Sequence, residues 1–276
     1  MSDRLTQSWQ WQSAEGLPYL TCSLLQAWPH GFFTQPFYPK TPEDLSKVLD
    51  PEADTYRIKQ VHGNRVLSPS EIKEEATEDT FASADGIIAN LEKQAIWVAS
   101  ADCTPVLIGD EVTGNIAAIH AGWRGTAQRI VPEAITRLQA WGSAIENLRI
   151  AMGPAISGEV YQVSEKVAAE VGASLFQKEK IDSLEGILNP LAKISTPPIL
   201  PDPKPGKVRL DVRRINQLQL EQLGIKSEQI SIAPYCTYQS PSHFFSYRRS
   251  KEKKVQWSGI VKISSKYQYC FLFQYR

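Results

Sequence analysis

Histidine is scarce in this 276-residue chain: there are four, His30, His62, His120 and His243. A multicopper oxidase needs many imidazoles to hold a type-1 copper and a trinuclear cluster, so four exclude it even if every one is a ligand. Cysteine is equally sparse. Cys22, Cys103, Cys236 and Cys270 are too few for a disulfide scaffold in a chain of this size. No charge excess exists either, because thirty Lys+Arg balance thirty Asp+Glu, and nothing global draws the chain to nucleic acid or an anionic membrane. No apolar run approaches the roughly 20 residues of a membrane span, and the best window, Ala95 to Gly109, is broken by Asp102. Met1 to Gln7 lacks the apolar run of a secretory signal, so the expectation is a cytoplasmic chain with reduced thiols. Internal repeats and low-complexity tracts are absent too. What is present is a composition of 42% hydrophobic and 9% aromatic residues, enough to bury a substantial core and to exclude a disordered or fibrous protein.

Short β-rich apolar runs predict buried strands at Ala95–Ala99, Thr104–Ile108, Asn115–His120 and Leu148–Met152. Thr55 to His62 alternates less regularly and reads as a further strand, and a β-rich region spans Ile230 to Ile263. Ala127, Ile130, Val131, Ala134, Ile135, Leu138 and Trp141 share one helical face. If Thr126 caps that helix, Pro132 falls inside it at a cost of roughly 3 kcal/mol; a start nearer Arg129, or a kink, relieves this. Further helices are expected from about Ser164 and after Asp211, the latter stopping at Gly224. Ser195 to Lys207 holds five prolines and predicts a surface loop or spacer. The strands after it need the earlier ones for cover, which favours one domain over residues 1–276. The charge runs Glu71 to Asp79 and Arg248 to Lys254 read as solvated faces.

Three segments carry metal-binding side chains at apparent strand ends beside small or turn-forming residues. They are Gln60-Val61-His62-Gly63-Asn64, Ala101-Asp102-Cys103 and His120-Ala121-Gly122-Trp123-Arg124-Gly125-Thr126. One thiolate and two imidazoles suit zinc, and three protein ligands leave a fourth position open for chemistry. The gaps of 41 and 17 residues match no compact zinc finger, and each residue alone reads more readily as an ordinary packed side chain; the case rests on all three together. In the third segment Gly122 and Gly125 let the backbone turn into a helix start beside Arg124, a ready anion site; the plainer reading is a tight turn covered by Trp123. Asp102, Asn64 and Asp85 are candidates to orient substrate or metal ligands, or simply to stabilise turns. Phe244 to Arg249 ends in paired guanidiniums; on a strand, at most one of Arg248 and Arg249 points into a given pocket.

Together Gln60-Val61-His62-Gly63, Ala101-Asp102-Cys103, His120-Ala121-Gly122-Trp123-Arg124-Gly125, Gly153-Pro154-Ala155-Ile156, Leu210-Asp211, Cys236-Thr237-Tyr238 and Phe244 to Arg249 resemble the laccase-domain (YfiH-like) family, which includes purine nucleoside phosphorylases and peptidoglycan-editing factors. The resemblance runs in order from about residue 30 to 260. It implies an α/β fold, a layered α-β-β-α sandwich of mixed sheets flanked by helices. It also implies a metal site at His62, Cys103 and His120, holding zinc or copper, with those three residues and Asp102 catalytic. The activity implied is phosphorolysis of adenosine, inosine, guanosine and methylthioadenosine to free base and ribose 1-phosphate, with adenosine deamination beside it. Phosphate and substrate contacts are expected from Arg124, Gly122, Gly125, Arg249 and Asn64. Two departures stand out. Where the family usually carries an Arg and a Gly-Gly-Val-Ser run, this chain has Gln35-Pro36-Phe37-Tyr38, and an aromatic tail extends over residues 266–276. Two other functions compete: a metal-free cysteine hydrolase with Cys103 as nucleophile and His120 as base, or a non-catalytic zinc protein in cell-wall maintenance.

Overall fold

The strands that read as uninterrupted apolar runs do so because both of their faces are covered. The computed structural model describes residues 8–176 and 183–263; the aromatic tail expected at 266–276 lies outside them. The first strands are β1 (Trp9–Ala14), β2 (Leu17–Cys22), β3 (His30–Phe33), β4 (Asp54–Tyr56) and β5 (Val66–Leu67). The central ones are β6 (Gly86–Ala89), β7 (Gln94–Ser100), β8 (Thr104–Asp110), β9 (Ile116–Ala121) and β10 (Leu148–Met152). The last are β11 (Gln162–Ser164), β12 (Ile199–Pro201), β13 (Lys207–Leu210), β14 (Ile230–Ile232) and β15 (Gln256–Lys262). They form a six-stranded sheet β1-β2-β3-β15-β7-β4, a second six-stranded sheet β14-β10-β8-β9-β6-β5, and a small sheet β11-β13-β12. Both large sheets are mixed: β4 runs parallel to β7, β14 parallel to β10 and β5 parallel to β6, against otherwise antiparallel neighbours.

Alternation along the central strands builds the layers. In β7, Ile96 and Val98 enter the core between the sheets, with Ile116 and Ala118 of β9, Leu107 of β8 and Ile260 of β15. Ala95 and Trp97, one residue out of step, face the opposite side with Leu45 of helix α1 (Pro42–Leu49). On the second sheet, Ala117 and Ile119 turn outward to meet Ile130, Ile135 and Leu138. The result is the single-domain α-β-β-α arrangement expected, since each sheet buries one face on its partner and the other on helices. After α2 (Pro69–Glu75) come α3 (Trp123–Ala127), α4 (Ile130–Ala140), α5 (Glu165–Ala173), α6 (Leu184–Ala192), α7 (Val212–Gln222) and α8 (Tyr247–Ser250). Among the described residues no helix is long and apolar enough to cross a membrane.

Several local expectations meet a different outcome. Thr126 does not cap the helix after it: it is buried inside α3, and its hydroxyl accepts from Asn216. Arg129, at φ 61°, is the residue before α4, so Pro132 occupies the first turn, where its missing N–H costs nothing. Ser164 and Asp211 do cap α5 and α7, through Val167 N–H and Arg214 N–H. The strand expected over Thr55 to His62 stops at Tyr56, because the chain beyond turns around the Asp85 carboxylate. The region from Ile230 to Ile263 is strand only at its two ends; the polar and proline-containing stretch between them forms turns and α8, so Arg248 and Arg249 sit on a helical turn rather than a strand. Within the proline-rich stretch β12 is an edge strand, the one sheet position that tolerates proline.

Candidate active site

β7 and β8 are consecutive in sequence but belong to different sheets, and only Ala101-Asp102-Cys103 joins them. That short crossing places Cys103 at the open edge of the sandwich. His120 shares its face of β9 with Ile116 and Ala118, and pairs across the ladder with Pro105, two residues from Cys103. It therefore enters the site from between the sheets. His62 arrives on the loop after β4, held at φ 61°, a conformation that non-glycine residues seldom adopt. The ligand atoms of His62, Cys103 and His120 lie within 4.8 Å of one another, graded from exposed through half-buried to buried. Two ligand atoms on one zinc ion stand roughly 3.3–3.6 Å apart, so a small closure of this triangle accommodates a metal.

Two features show that the triangle is built rather than accidental. The first is Asp85, fully buried just before β6. Its carboxylate accepts the N–H groups of Val61, His62 and Gly63 at 3.1, 2.9 and 2.7 Å, and the His120 Nδ1–H at 2.9 Å. With Nδ1 committed, His120 offers Nε2 to a ligand, the usual outer arrangement of a metal-binding imidazole. The second is Gly122, where a Cβ would stand 3.0 Å from Cys103 Sγ, 3.5 Å from the His62 ring and 3.7 Å from the His120 ring. Gly125 likewise passes so close to the His62 loop that a Cβ would meet the Gly63 carbonyl at 2.8 Å. These glycines let the turn close over the ligands. The donor set and its packing fit a borderline-soft divalent metal ion.

The charges of the cluster are interdependent. Burial by itself would raise the Cys103 thiol, but the His120 imidazolium and hydrogen bonds from His120 and His62 outweigh it, bringing the thiol from 9.0 down to about 6. Burial also disfavours a charged His120, yet the Cys103 thiolate and the Asp85 carboxylate raise that imidazole to about 9. Asp85 itself is pushed up by burial and pulled further down by His120 and by the Gly63 and Val61 N–H groups, so it stays below its ordinary value. Without metal the pair is a thiolate beside an imidazolium at neutral pH.

A cavity of about 640 Å³ opens over the cluster, and His62, Asp102, Cys103, His120 and Arg124 all line it. The Arg124 guanidinium lies 4.3 Å from the Trp123 ring centroid and makes no hydrogen bond or ion pair among the described residues. Tyr161 and Arg248 line the same space, the guanidinium 4.7 Å from the phenol ring. Burial, reinforced by the Cys103 and Asp102 charges, pushes the Tyr161 phenol up to about 12, so it remains a neutral donor. Arg249 and Asn64 lie outside the lining. The Arg249 guanidinium donates to the carbonyls of Thr237, Tyr238 and Phe244, and the Asn64 amide donates to Gln128 O. Gln35 turns its amide to Pro241 O, also away from the cavity. Sequence reasoning passed over Tyr161, whose neighbours carry no motif, and chose Arg249 where the structure turns Arg248 to the cavity.

Residues 42–262 match the family described as multi-copper polyphenol oxidoreductase laccase. A purine nucleoside phosphorylase of Synechocystis sp. is 55% identical over 255 residues, covering 92% of this chain and 97% of that protein. A protein named adenosine deaminase RL5, from an unknown prokaryotic organism, is 27% identical over 200 residues, covering 71% of this chain and 70% of its own. The crystal structure of YlmD from Geobacillus stearothermophilus superposes with a TM-score of 0.74 at 22% identity, covering 92% of this chain and 99% of that one, which establishes the shared fold.

Proposed function

The chain belongs to the multi-copper polyphenol oxidoreductase laccase family, and from that premise we propose that it is a metal-dependent purine nucleoside phosphorylase acting on adenosine, inosine, guanosine and methylthioadenosine. The observation that carries this reading is a metal-capable cluster of His62, Cys103 and His120 lining a cavity that also presents the Arg124 guanidinium, unpaired among the described residues. The family's descriptive name suits these residues poorly. His30 is buried with both ring nitrogens engaged by the Trp28 carbonyl and the Cys22 N–H, and His243 packs on Trp11, so two imidazoles reach the cluster.

Cleaving an N-glycosidic bond builds positive charge on the ribose, as in glycoside hydrolysis. Arg124 holds phosphate, one of whose oxygens forms the new bond to the anomeric carbon. The bond from that carbon to the purine nitrogen breaks, its electron pair leaves with the base, and a proton then neutralises the base. Gly122 and Gly125 keep the turn bearing Arg124 close to His62 and Cys103. A bound metal, zinc in this reading with copper the alternative, would supply Lewis-acid chemistry. His62, Cys103 and His120 would hold it, and Asp85 keeps the His120 proton on Nδ1. Among the described residues Cys22, Cys103 and Cys236 are free thiols, which supports a cytoplasmic location.

A second reading, adenosine deamination at the same centre, is favoured by the relative named adenosine deaminase RL5. Incubating metal-replete protein with adenosine, with and without phosphate, separates the two. Phosphate-dependent adenine and ribose 1-phosphate are expected; inosine alone, whatever the phosphate concentration, would leave deamination as the activity.

A further inference from the structure

Asp102 neighbours Cys103 but is turned to other work. Its Oδ1 accepts the Thr237 hydroxyl at 2.7 Å and its Oδ2 accepts the Arg248 backbone N–H at 2.7 Å. The residue is buried and held at φ 92°, a left-handed backbone that only a well-determined surrounding imposes on an aspartate. Its two hydrogen bonds tie the Cys103 turn to the loop at Thr237 and to α8, on which two adjacent arginines divide their roles. Arg249 holds the preceding loop through the carbonyls of Thr237, Tyr238 and Phe244. Arg248 instead reaches into the cavity, braced on the Tyr161 ring and by one bond from Nη1 to the Gln162 carbonyl at 2.8 Å. Its Nε and Nη2 have no acceptor among the described residues. Arg124 faces the same cavity, similarly laid on an aromatic ring and wholly unpaired among the described residues. Two guanidiniums pre-oriented by aromatic faces, with donors left over, match an anion that takes several charge-assisted hydrogen bonds.

We propose that Arg248 and Arg124 together clamp the phosphate co-substrate, and that Asp102 is the positioning residue that presents Arg248, not an acid or base of the reaction. The proposal rests on the phosphorylase reading for the identity of the anion. Both Asp102 oxygens accept from fixed protein donors, the geometry of a group that positions its neighbours.

The test uses the metal-loaded full chain. Inosine phosphorolysis is followed while phosphate is varied, inorganic phosphate binding is measured alone by calorimetry, and metal content is checked in each variant. Arg248→Ala is expected to raise both the phosphate KM and the phosphate Kd about tenfold or more, with inosine KM within about twofold and metal content unchanged. Arg248→Lys, which keeps the charge without the planar fork, should recover part of the loss. Asp102→Asn should raise the phosphate KM several-fold, with kcat restored at saturating phosphate and the pH profile of kcat unmoved. Wild-type phosphate affinity in Arg248→Ala overturns the clamp. A lowered kcat at saturating phosphate with a shifted pH profile in Asp102→Asn overturns the positioning role. Should that variant fold poorly, the two Arg248 variants decide the clamp alone. If wild-type protein binds phosphate in an Arg248-dependent way yet forms no ribose 1-phosphate, the clamp stands and the phosphorylase reading falls. If it binds no phosphate at all, both fall.

Discussion

His120 Nδ1 donates to Asp85 Oδ1 at 2.9 Å, and this one bond decides which ring nitrogen faces the cluster. The same carboxylate collects three successive N–H groups from the His62 loop, so two imidazoles from separate elements are referenced to one buried anion. An ordinary surface pairing would do neither, because a solvated carboxylate holds nothing in register.

Replacing Asp85 should therefore loosen the metal before it loosens the fold. Asp85→Asn keeps the size but must point an N–H₂ at two of the four donors, and metal affinity is expected to fall 10–100-fold, as for other partners of metal-bound imidazoles. Asp85→Ala strands the buried donors as well and should cost about 1–3 kcal/mol of stability in the metal-free protein. Chelator competition and thermal melts check the two effects separately. Wild-type metal affinity in Asp85→Asn would show that His120 needs no such support.

The lowered thiol of Cys103 makes a prediction with a definite sign. Because the group titrates near 6 instead of 9, the thiolate predominates in metal-free protein at pH 7, and its alkylation should fade only as pH drops through about 6. Bound metal should protect it throughout. Metal uptake at pH 7.5 should also release about one proton, since His120, raised to about 9, must surrender its charge to become a ligand. Iodoacetamide labelling read by mass spectrometry, and proton release followed with an indicator, measure both. Rapid alkylation of protein that retains a full complement of metal would point to the cysteine hydrolase instead.

The strands around this site were legible because their apolar runs are long and rich in β-branched residues: Ala95–Ala99, Thr104–Ile108, Asn115–His120 and Leu148–Met152 each fall on a real strand within a residue or two. The metal-capable triad was legible from chemistry, since a thiol and two imidazoles beside turn residues is a rare combination. What stayed hidden is tertiary. Nothing local to Asp85 announces that three N–H groups will converge on it, because the donors come from a loop more than twenty residues earlier. The Arg248–Arg249 pair reads as a strand from its aromatic neighbours, and only the Ser246 cap and the Asp102 contact make it a helical turn. Gly122 and Gly125 read as an anion-binding turn, yet their main geometric role is to let the backbone pass against Cys103 and Gly63.

Gly122→Ala tests that last point. The backbone at φ −72° accepts alanine without strain, so the helix start should survive. The added methyl would sit 3.0 Å from Cys103 Sγ and must push the thiolate or the neighbouring rings apart. Metal affinity should drop while the melting temperature of the metal-free protein stays near wild type. An unchanged metal affinity would mean that the cluster has slack to absorb a methyl group.

Arg124→Ala separates an anion-binding side chain from a surface charge. Stability should change by no more than about 0.5 kcal/mol, because the side chain is exposed and pairs with no acid among the described residues. If Arg124 holds phosphate, the phosphate KM should rise or kcat fall at a cost of roughly 1.5–3 kcal/mol, the range for a charge-assisted hydrogen bond. That is about tenfold or more in kcat/KM. Any deamination of adenosine should suffer less, since water attack on the purine ring requires no phosphate. Steady-state assays of both activities on the same metal-loaded preparation make the comparison. Equal loss of both would assign Arg124 to the shape of the whole cavity and remove it from the phosphate site.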